Sequence, residues 1–337
     1  MTMTKTDARG VLILGEMAGE TPLSIVPEMI ALARQVVGAD GGPVCVLLVG
    51  AAPQACISGL ISVGADRVYL APPGPENLYG SEVWMDAVAA VLAQFHPQVV
   101  MSGHTSLGAD LAPRIALASD LSIATGCENL VLEGGSLLAT RPCYGHKARE
   151  VLKLLTMPAV VTVRARSAQP QEPVASRVGE TIAVDVQYRD AALLPKIRSR
   201  TQEDSSEGPS LEQAKIVVAG GRGLGGPEGF QHLATLAEVL GGAVGASRVA
   251  CDLGWCPRSW QIGLTGKTVM PNLYIAVGIS GASHHMAGCG NSGTILVINN
   301  DQDAAIFKDA RFGVVGDYQE ILPELVRQLA DRKAQAA

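Results

Sequence analysis

Lys215-Ile216-Val217-Val218-Ala219 runs into Gly220-Gly221-Arg222-Gly223-Leu224-Gly225-Gly226, and Phe230–Leu240 follows with the apolar spacing of a helix. A β-type run, a glycine loop and a helix in that order open a doubly wound α/β unit. Gly221, Gly223 and Gly226 fit G-x-G-x-x-G between strand and helix, the context that pattern requires. Without side chains, the loop's backbone N–H groups are expected to approach a pyrophosphate closely, helped by the dipole of the helix N-terminus. Arg222 offers a charge-assisted contact to the same group. A merely flexible glycine turn is the competing reading.

Downstream the alternation continues, with strands at Leu273–Val277 and Thr294–Ile298 and a helix at Glu320–Leu329. Upstream it has a counterpart. Val11–Leu14, Val44–Val49, Arg67–Leu70, Gln98–Ser102 and Ala159–Val163 read as strands, with helical spacing in Val26–Val37, Pro53–Val63, Glu82–Phe95 and Ala109–Ala118. The residues from Ser167 to Glu212 break the pattern. They hold one candidate strand, Thr181–Gln187, and the polar stretch Thr201–Pro209, which reads as a linker. The expected fold is α/β, with two domains that are each a mostly parallel sheet flanked by helices. Their bounds are 1–200 and 211–337, joined by a linker at 201–210, and the second is Rossmann-like.

Composition narrows the function classes. Of 337 residues 47% are hydrophobic and 17% charged, so a large core is available. Aromatic residues are 4%, too few for a base-stacking platform, and a net charge of −6 gives no general attraction for nucleic acid or anionic lipid. No apolar run approaches the ~18 residues of a membrane span. The N-terminus shows no signal or transit pattern, and the seven cysteines are odd in number and scattered, so a reduced, cytoplasmic setting is expected. Cys251 and Cys256 lack a matching second pair, which makes zinc an unfavoured reading.

The glycine motif fits NAD as readily as FAD. An NAD fold should place an acid about 20 residues on, at a strand end, for the ribose. This chain instead reads Ala243-Val244-Gly245-Ala246-Ser247-Arg248, with a basic residue there. Gln261-Ile262-Gly263-Leu264-Thr265-Gly266-Lys267 follows, then Tyr274–His285 and Ile298-Asn299-Asn300-Asp301. The succession from Gly220 to Asp317 resembles the flavin-binding domain of the electron transfer flavoprotein alpha subunit family. Gly-Gly-Arg-Gly-Leu, Val-Gly-Ala-Ser-Arg, Thr-Gly-Lys, Leu-Tyr-Ile-Ala-Val-Gly-Ile-Ser-Gly-Ala and Val-Ile-Asn-Asn-Asp carry the likeness. Ala109–Arg114 extends it, more loosely, into the first half.

That resemblance implies one FAD, a heterodimer with a beta subunit formed through the N-terminal domain, and no substrate-converting chemistry. Electrons would come from flavin-dependent dehydrogenases and leave to a quinone oxidoreductase or another acceptor. Carried over residue by residue, it places Arg222 and Gly223 at the phosphates. It places Ser247 and Arg248 by the isoalloxazine, with Gln261, Ile262, Gly263, Leu264 and Thr265 in the loop whose hydroxyl approaches flavin N5. Ser280, Gly281, Ala282, Ser283, His284 and His285 would wrap the flavin and phosphate side, His285 at the N1–C2=O edge. Asn299 and Asp317 would serve the adenosine end. Reduction adds negative charge at that edge, so a nearby cation and an imidazole donor suit it.

Two positions depart from the family pattern: Leu264 stands where glutamine is common, and His284 where a second glutamine is. Two rival readings remain at this stage, an NAD-dependent dehydrogenase and a non-catalytic nucleotide-binding regulatory module. The first lacks an acidic ribose ligand; the second predicts a protein without flavin colour.

Overall fold

The computed structural model describes residues 9–38, 41–75, 80–144, 148–189, 211–212 and 214–336. Its packing divides the chain into two compact units, Met1–Cys143 with Lys147–Arg200, and Tyr144–His146 with Thr201–Ala337. The expected linker at 201–210 lies outside the described residues.

In the first unit, β1 (Val11–Leu14) is followed by a small hairpin, β2 (Met17–Ala18) and β3 (Thr21–Pro22), and then α1 (Ile25–Val37). The alternation runs on through β4 (Val44–Val49), α2 (Gln54–Ser62), β5 (Arg67–Ala71), α3 (Gly80–Leu92), β6 (Val99–Gly103) and α4 (Ser106–Ser119). After β7 (Ser122–Cys127) come β8 (Asn129–Glu133), β9 (Ser136–Cys143) and β10 (Ala148–Leu154), then β11 (Ala159–Val163) and β12 (Glu180–Ala183). Seven strands form one parallel sheet in the order β12-β5-β4-β1-β6-β11-β7. Alternate residues of β1 point to opposite faces: Val11 and Ile13 join one core cluster, Leu12 and Leu14 the other. Both faces are dry, which is why these strands read as unbroken apolar runs.

Strands β8, β9 and β10 depart from the expected βα alternation by forming a separate antiparallel sheet. Glu133 pairs with Ser136 across Gly134-Gly135, whose φ values of 56° and 77° make a two-residue turn of the primed type. Other residues seldom take that conformation twice in succession. Two arginines here are paired, Arg141 with Glu150 and Arg149 with Glu128 at 3.1 Å. The Ala109–Arg114 motif has a structural role: Arg114 bridges Asp110 (3.1 Å) on α4 and Glu82 (3.2 Å) on α3.

The second unit is a parallel sheet of β13 (Ile216–Gly220), β14 (Ala243–Ala246), β15 (Leu273–Val277), β16 (Thr294–Asn299) and β17 (Phe312–Val315). Its spatial order is β14-β13-β15-β16-β17. Helices α5 (Gly229–Leu240), α6 (Arg248–Asp252), α7 (Ser283–Cys289) and α8 (Tyr318–Ala336) connect and cover the strands. Phe230, Leu233, Leu236 and Ala237 of α5 are buried against β13 and α8. Each large side chain there contributes about 1.5–3 kcal/mol by leaving water. The first strand in sequence lies inside the sheet, with the second on one side and the third on the other. Connections therefore diverge between β13 and β15, and open α/β sheets place ligands at the carboxyl ends beside such a divergence.

Candidate functional site

Loops leave the carboxyl ends of all five strands on one rim. Following the sheet from β14 to β17, the rim presents Ser247 and Arg248, then Arg222 and Gly223, then Ser280–His284, then Asn299, then Asp317. Four inter-strand steps of ~4.8 Å make this row about 19 Å long. The loop 261–265 joins at the β14 end, because Ile262 N donates to Ala246 O (2.9 Å) and Leu264 N donates to His284 O (2.7 Å). The segments expected to serve isoalloxazine, phosphates and adenosine thus stand in that order across the sheet.

Their exposure sorts them. Arg222, Gly223, Arg248, Leu264, Thr265, Ser280, Ala282, Ser283, His284 and Asp317 are exposed, and Ser247 and Gly281 are half-buried. Gln261, Ile262, Gly263, His285 and Asn299 are buried and act as supports. Gln261 Nε2 donates to Thr265 Oγ1 (3.0 Å), which leaves that hydroxyl's own proton free to point outward. Asn299 Nδ2 donates to Ile279 O (3.0 Å) and its Oδ1 accepts Asp301 N (3.1 Å), bracing one side of a cleft of about 170 Å³. Gly223, Gly278, Asn300, Asp317 and Tyr318 also line that cleft. Arg248 pairs with Asp252 at 3.2 Å, and Asp252 also takes Arg258 at 3.1 Å, so the group keeps one net positive charge.

The glycine loop works differently from expectation. Four of its amides are spent within the protein: Gly221 N on Val277 O (2.9 Å), Gly223 N on Gly278 O (3.0 Å), Leu224 N on Gly221 O and Gly225 N on Arg222 O. The start of α5 is likewise engaged by backbone, with Gly229 N on Gly226 O (3.3 Å), Phe230 N on Pro227 O (3.1 Å) and Gln231 N on Glu228 O (3.1 Å). The glycines are needed for contact between loops. A Cβ on Gly221 would lie 2.3 Å from Gly278 O, and one on Gly223 would lie 2.7 Å from Gly278 Cα. Gly278, at φ 62°, is the partner that the sequence reading missed; a lone glycine after a strand is too common a signal to single out.

His285 also differs. Its Nδ1 donates to Ile262 O (3.1 Å), so Nε2 accepts from the Tyr274 hydroxyl (2.8 Å). Both nitrogens are committed, and burial lowers its pKa to about 4, leaving a neutral ring. With both nitrogens bonded inside the protein, His285 is a strut that holds the 261–265 loop over β15. Tyr274, fully buried at the other end of that strut, was not foreseen. Leu264 and His284, the two departures from the family pattern, touch through their backbones and present exposed side chains side by side.

Among the described residues no group of three or more His, Cys, Asp or Glu is placed to hold a metal, and no helix is long and apolar enough to cross a membrane. A doubly wound sheet with a ligand rim at its divergence point defines a nucleotide- or flavin-binding class of protein.

Comparison with known proteins makes this specific. Residues 210–290 match the family described as the electron transfer flavoprotein FAD-binding domain, and residues 12–188 match the electron transfer flavoprotein domain. The chain is 40% identical over 319 residues to the electron transfer flavoprotein subunit alpha of Bacillus subtilis (strain 168), covering 94% of this chain and 96% of that one. The corresponding subunit of Thermoanaerobacterium thermosaccharolyticum is 38% identical over 329 residues, covering 97% and 99%. Protein FixB of Clostridium saccharobutylicum is 34% identical over 336 residues, covering 97% and 98%. The chain belongs to the electron transfer flavoprotein alpha subunit family, and its cofactor is FAD.

Proposed function

We propose that the chain pairs with a beta subunit and carries electrons on FAD laid across the β14-to-β17 rim, from flavin-dependent dehydrogenases to a quinone oxidoreductase or another acceptor. The observation that carries this reading is the order of the five strand-end loops along one rim, a row long enough to take an extended dinucleotide. In this reading residues 1–200 serve subunit association, 201–210 link, 211–337 hold the cofactor, and the setting is cytoplasmic.

FAD supplies the one- and two-electron chemistry; the protein sets its potential and controls access. Arg222 and the hydroxyls of Ser280 and Ser283 hold the phosphates, a role in which the four engaged amides of the glycine loop take no part. Asn299, through its position, and Asp317 bound the adenosine end. Thr265, oriented by Gln261, donates its hydroxyl proton toward the ring, and Ser247 and Arg248 stand beside it. With His285 neutral, Arg248 is the cation that favours negative charge on the ring. Its side chain is 66% exposed and shares Asp252, so its effect is well below the roughly 4 kcal/mol of a unit pair at 4 Å and an effective dielectric of 20.

Two experiments test this. Arg248→Ala in the heterodimer should lower the one-electron potential by on the order of 40 mV, equivalent to about 1 kcal/mol; an unchanged potential with FAD still bound removes Arg248 from the account. Anaerobic mixing of the FAD-loaded heterodimer with a reduced flavin-dependent dehydrogenase and a quinone reductase should pass electrons between them. A flavin that is never reduced by any such donor contradicts the carrier role.

A further inference from the structure

Cys251 lies on α6, four residues beyond Ser247, and Cys256 lies just before Pro257. Their Sγ atoms are 3.5 Å apart, and Cys251 Sγ is also 3.6 Å from Pro257 O. We propose that Cys251 and Cys256 form a dithiol site that reacts with small-molecule disulfides and closes to an intramolecular disulfide.

The chain between the two thiols is already folded back. Gly254, at φ 74°, ends α6; its N–H donates to Cys251 O (3.0 Å), and Trp255 N donates to Ala250 O (3.1 Å). Closure therefore needs only a shift of sulfur atoms in contact, and the second thiol is present at high effective concentration. Access differs between them: Cys256 is half-buried, whereas Cys251 is 6% exposed. The outer thiol meets the reagent first and the inner one resolves it. In balanced form, the Cys256 thiolate attacks R–S–S–R, giving Cys256–S–S–R and R–S⁻. Cys251, as its thiolate, then attacks Cys256 Sγ, giving Cys251–S–S–Cys256 and a second R–S⁻. The two thiol protons end on the two released thiolates as R–SH. The reagent is reduced by two electrons and the cysteine pair oxidised by two.

A metal is the alternative use of paired thiols. Two thiolates fall short of a closed zinc set, and no further ligand group stands with them among the described residues. Burial raises both thiols, Cys256 to about 12 with the hydrogen bond and charge of Cys251 adding to it. Thiolate is therefore scarce at neutral pH, and closure should be slow there and accelerate about tenfold per pH unit. The link would join the helix that begins after Ser247 to the turn leading into Gln261–Thr265.

The test treats the full-length chain with oxidised glutathione between pH 7 and 9 and reads intact mass and tryptic peptides. The peptide Val249–Arg258, which carries both cysteines, should appear lighter by two hydrogens, with no glutathione attached and a rate rising with pH. Cys251→Ser should instead keep glutathione on Cys256, and Cys256→Ser should leave Cys251 unmodified. Stable glutathione on Cys256 in the wild-type chain overturns the proposal. So does an unaltered peptide at pH 9 when the same chain in denaturant is oxidised. Neither outcome depends on whether FAD is bound.

Discussion

Gly221→Ala is expected to separate the loop after β13 from the loop after β15 and to cost the cofactor. Gly221 has φ −113°, which any residue adopts, so the effect is purely steric. The new methyl would stand 2.3 Å from the carbonyl oxygen of Gly278 and 2.8 Å from Cγ1 of the buried Ile279, and the backbone oxygen cannot swing aside as a side-chain end can. Overpacking of this kind costs about 1–3 kcal/mol. It should also break the bonds from Gly221 N to Val277 O and from Gly223 N to Gly278 O, which align Arg222 with Ser280 on the rim. Thermal unfolding should show a lower midpoint, and FAD should be retained at least ~10-fold less tightly, since 1.4 kcal/mol is a factor of ten. Gly225→Ala is the contrast: its φ of 79° imposes strain, yet a Cβ there meets nothing within 4 Å. It should cost about 1 kcal/mol of stability and leave FAD retention nearly unchanged.

His285→Ala should be comparably damaging for a different reason. It leaves Ile262 O without its partner and the fully buried Tyr274 hydroxyl with only the weak Cys289 thiol contact, at about 1–3 kcal/mol for an unsatisfied group, and opens a cavity. The pH dependence has a definite sign. The folded-state pKa is depressed, from an ordinary 6.5 to about 4 by burial, so the unfolded chain binds the extra proton between those values. Stability supported by the neutral ring is full above pH 6.5 and is lost as pH falls toward 4, by on the order of 2–3 kcal/mol. In chemical denaturation, wild type and His285→Gln should converge as the pH is lowered across that window. A constant gap between them would mean that His285 does not titrate in this way.

Much of this architecture is legible in the residues. Val11–Leu14, Val44–Val49, Ala159–Val163 and Leu273–Val277 are strands with the expected bounds, because apolar runs buried on both faces end abruptly at turn residues. The antiparallel sheet from Asn129 to Leu154 was hidden by its mixture of Arg, Glu and Lys with short apolar stretches. Only the Glu-Gly-Gly-Ser turn at residues 133–136 announced it. At the site, sequence pattern pointed to loops that the sheet brings to one rim, but it could not distinguish side chains exposed on the rim from those buried beneath it. Gly223, His285 and Asn299 show why: which hydrogen-bonding groups are already spent depends on Gly278, Tyr274 and Ile279, residues brought together by the sheet. G-x-G-x-x-G is ambiguous for the same reason, since glycines that admit a phosphate and glycines that admit another backbone are identical in sequence.

The central claim is that the carboxyl-end rim of the second sheet holds FAD. The most direct measurement is the absorbance spectrum of the chain purified with its beta subunit, followed by extraction and identification of the released flavin. The account predicts a flavin band and FAD at close to one per rim, with Gly221→Ala and Arg222→Ala each depleted and Leu264→Ala not. A colourless complex, or one whose FAD survives both Gly221→Ala and Arg222→Ala at full occupancy, would contradict it.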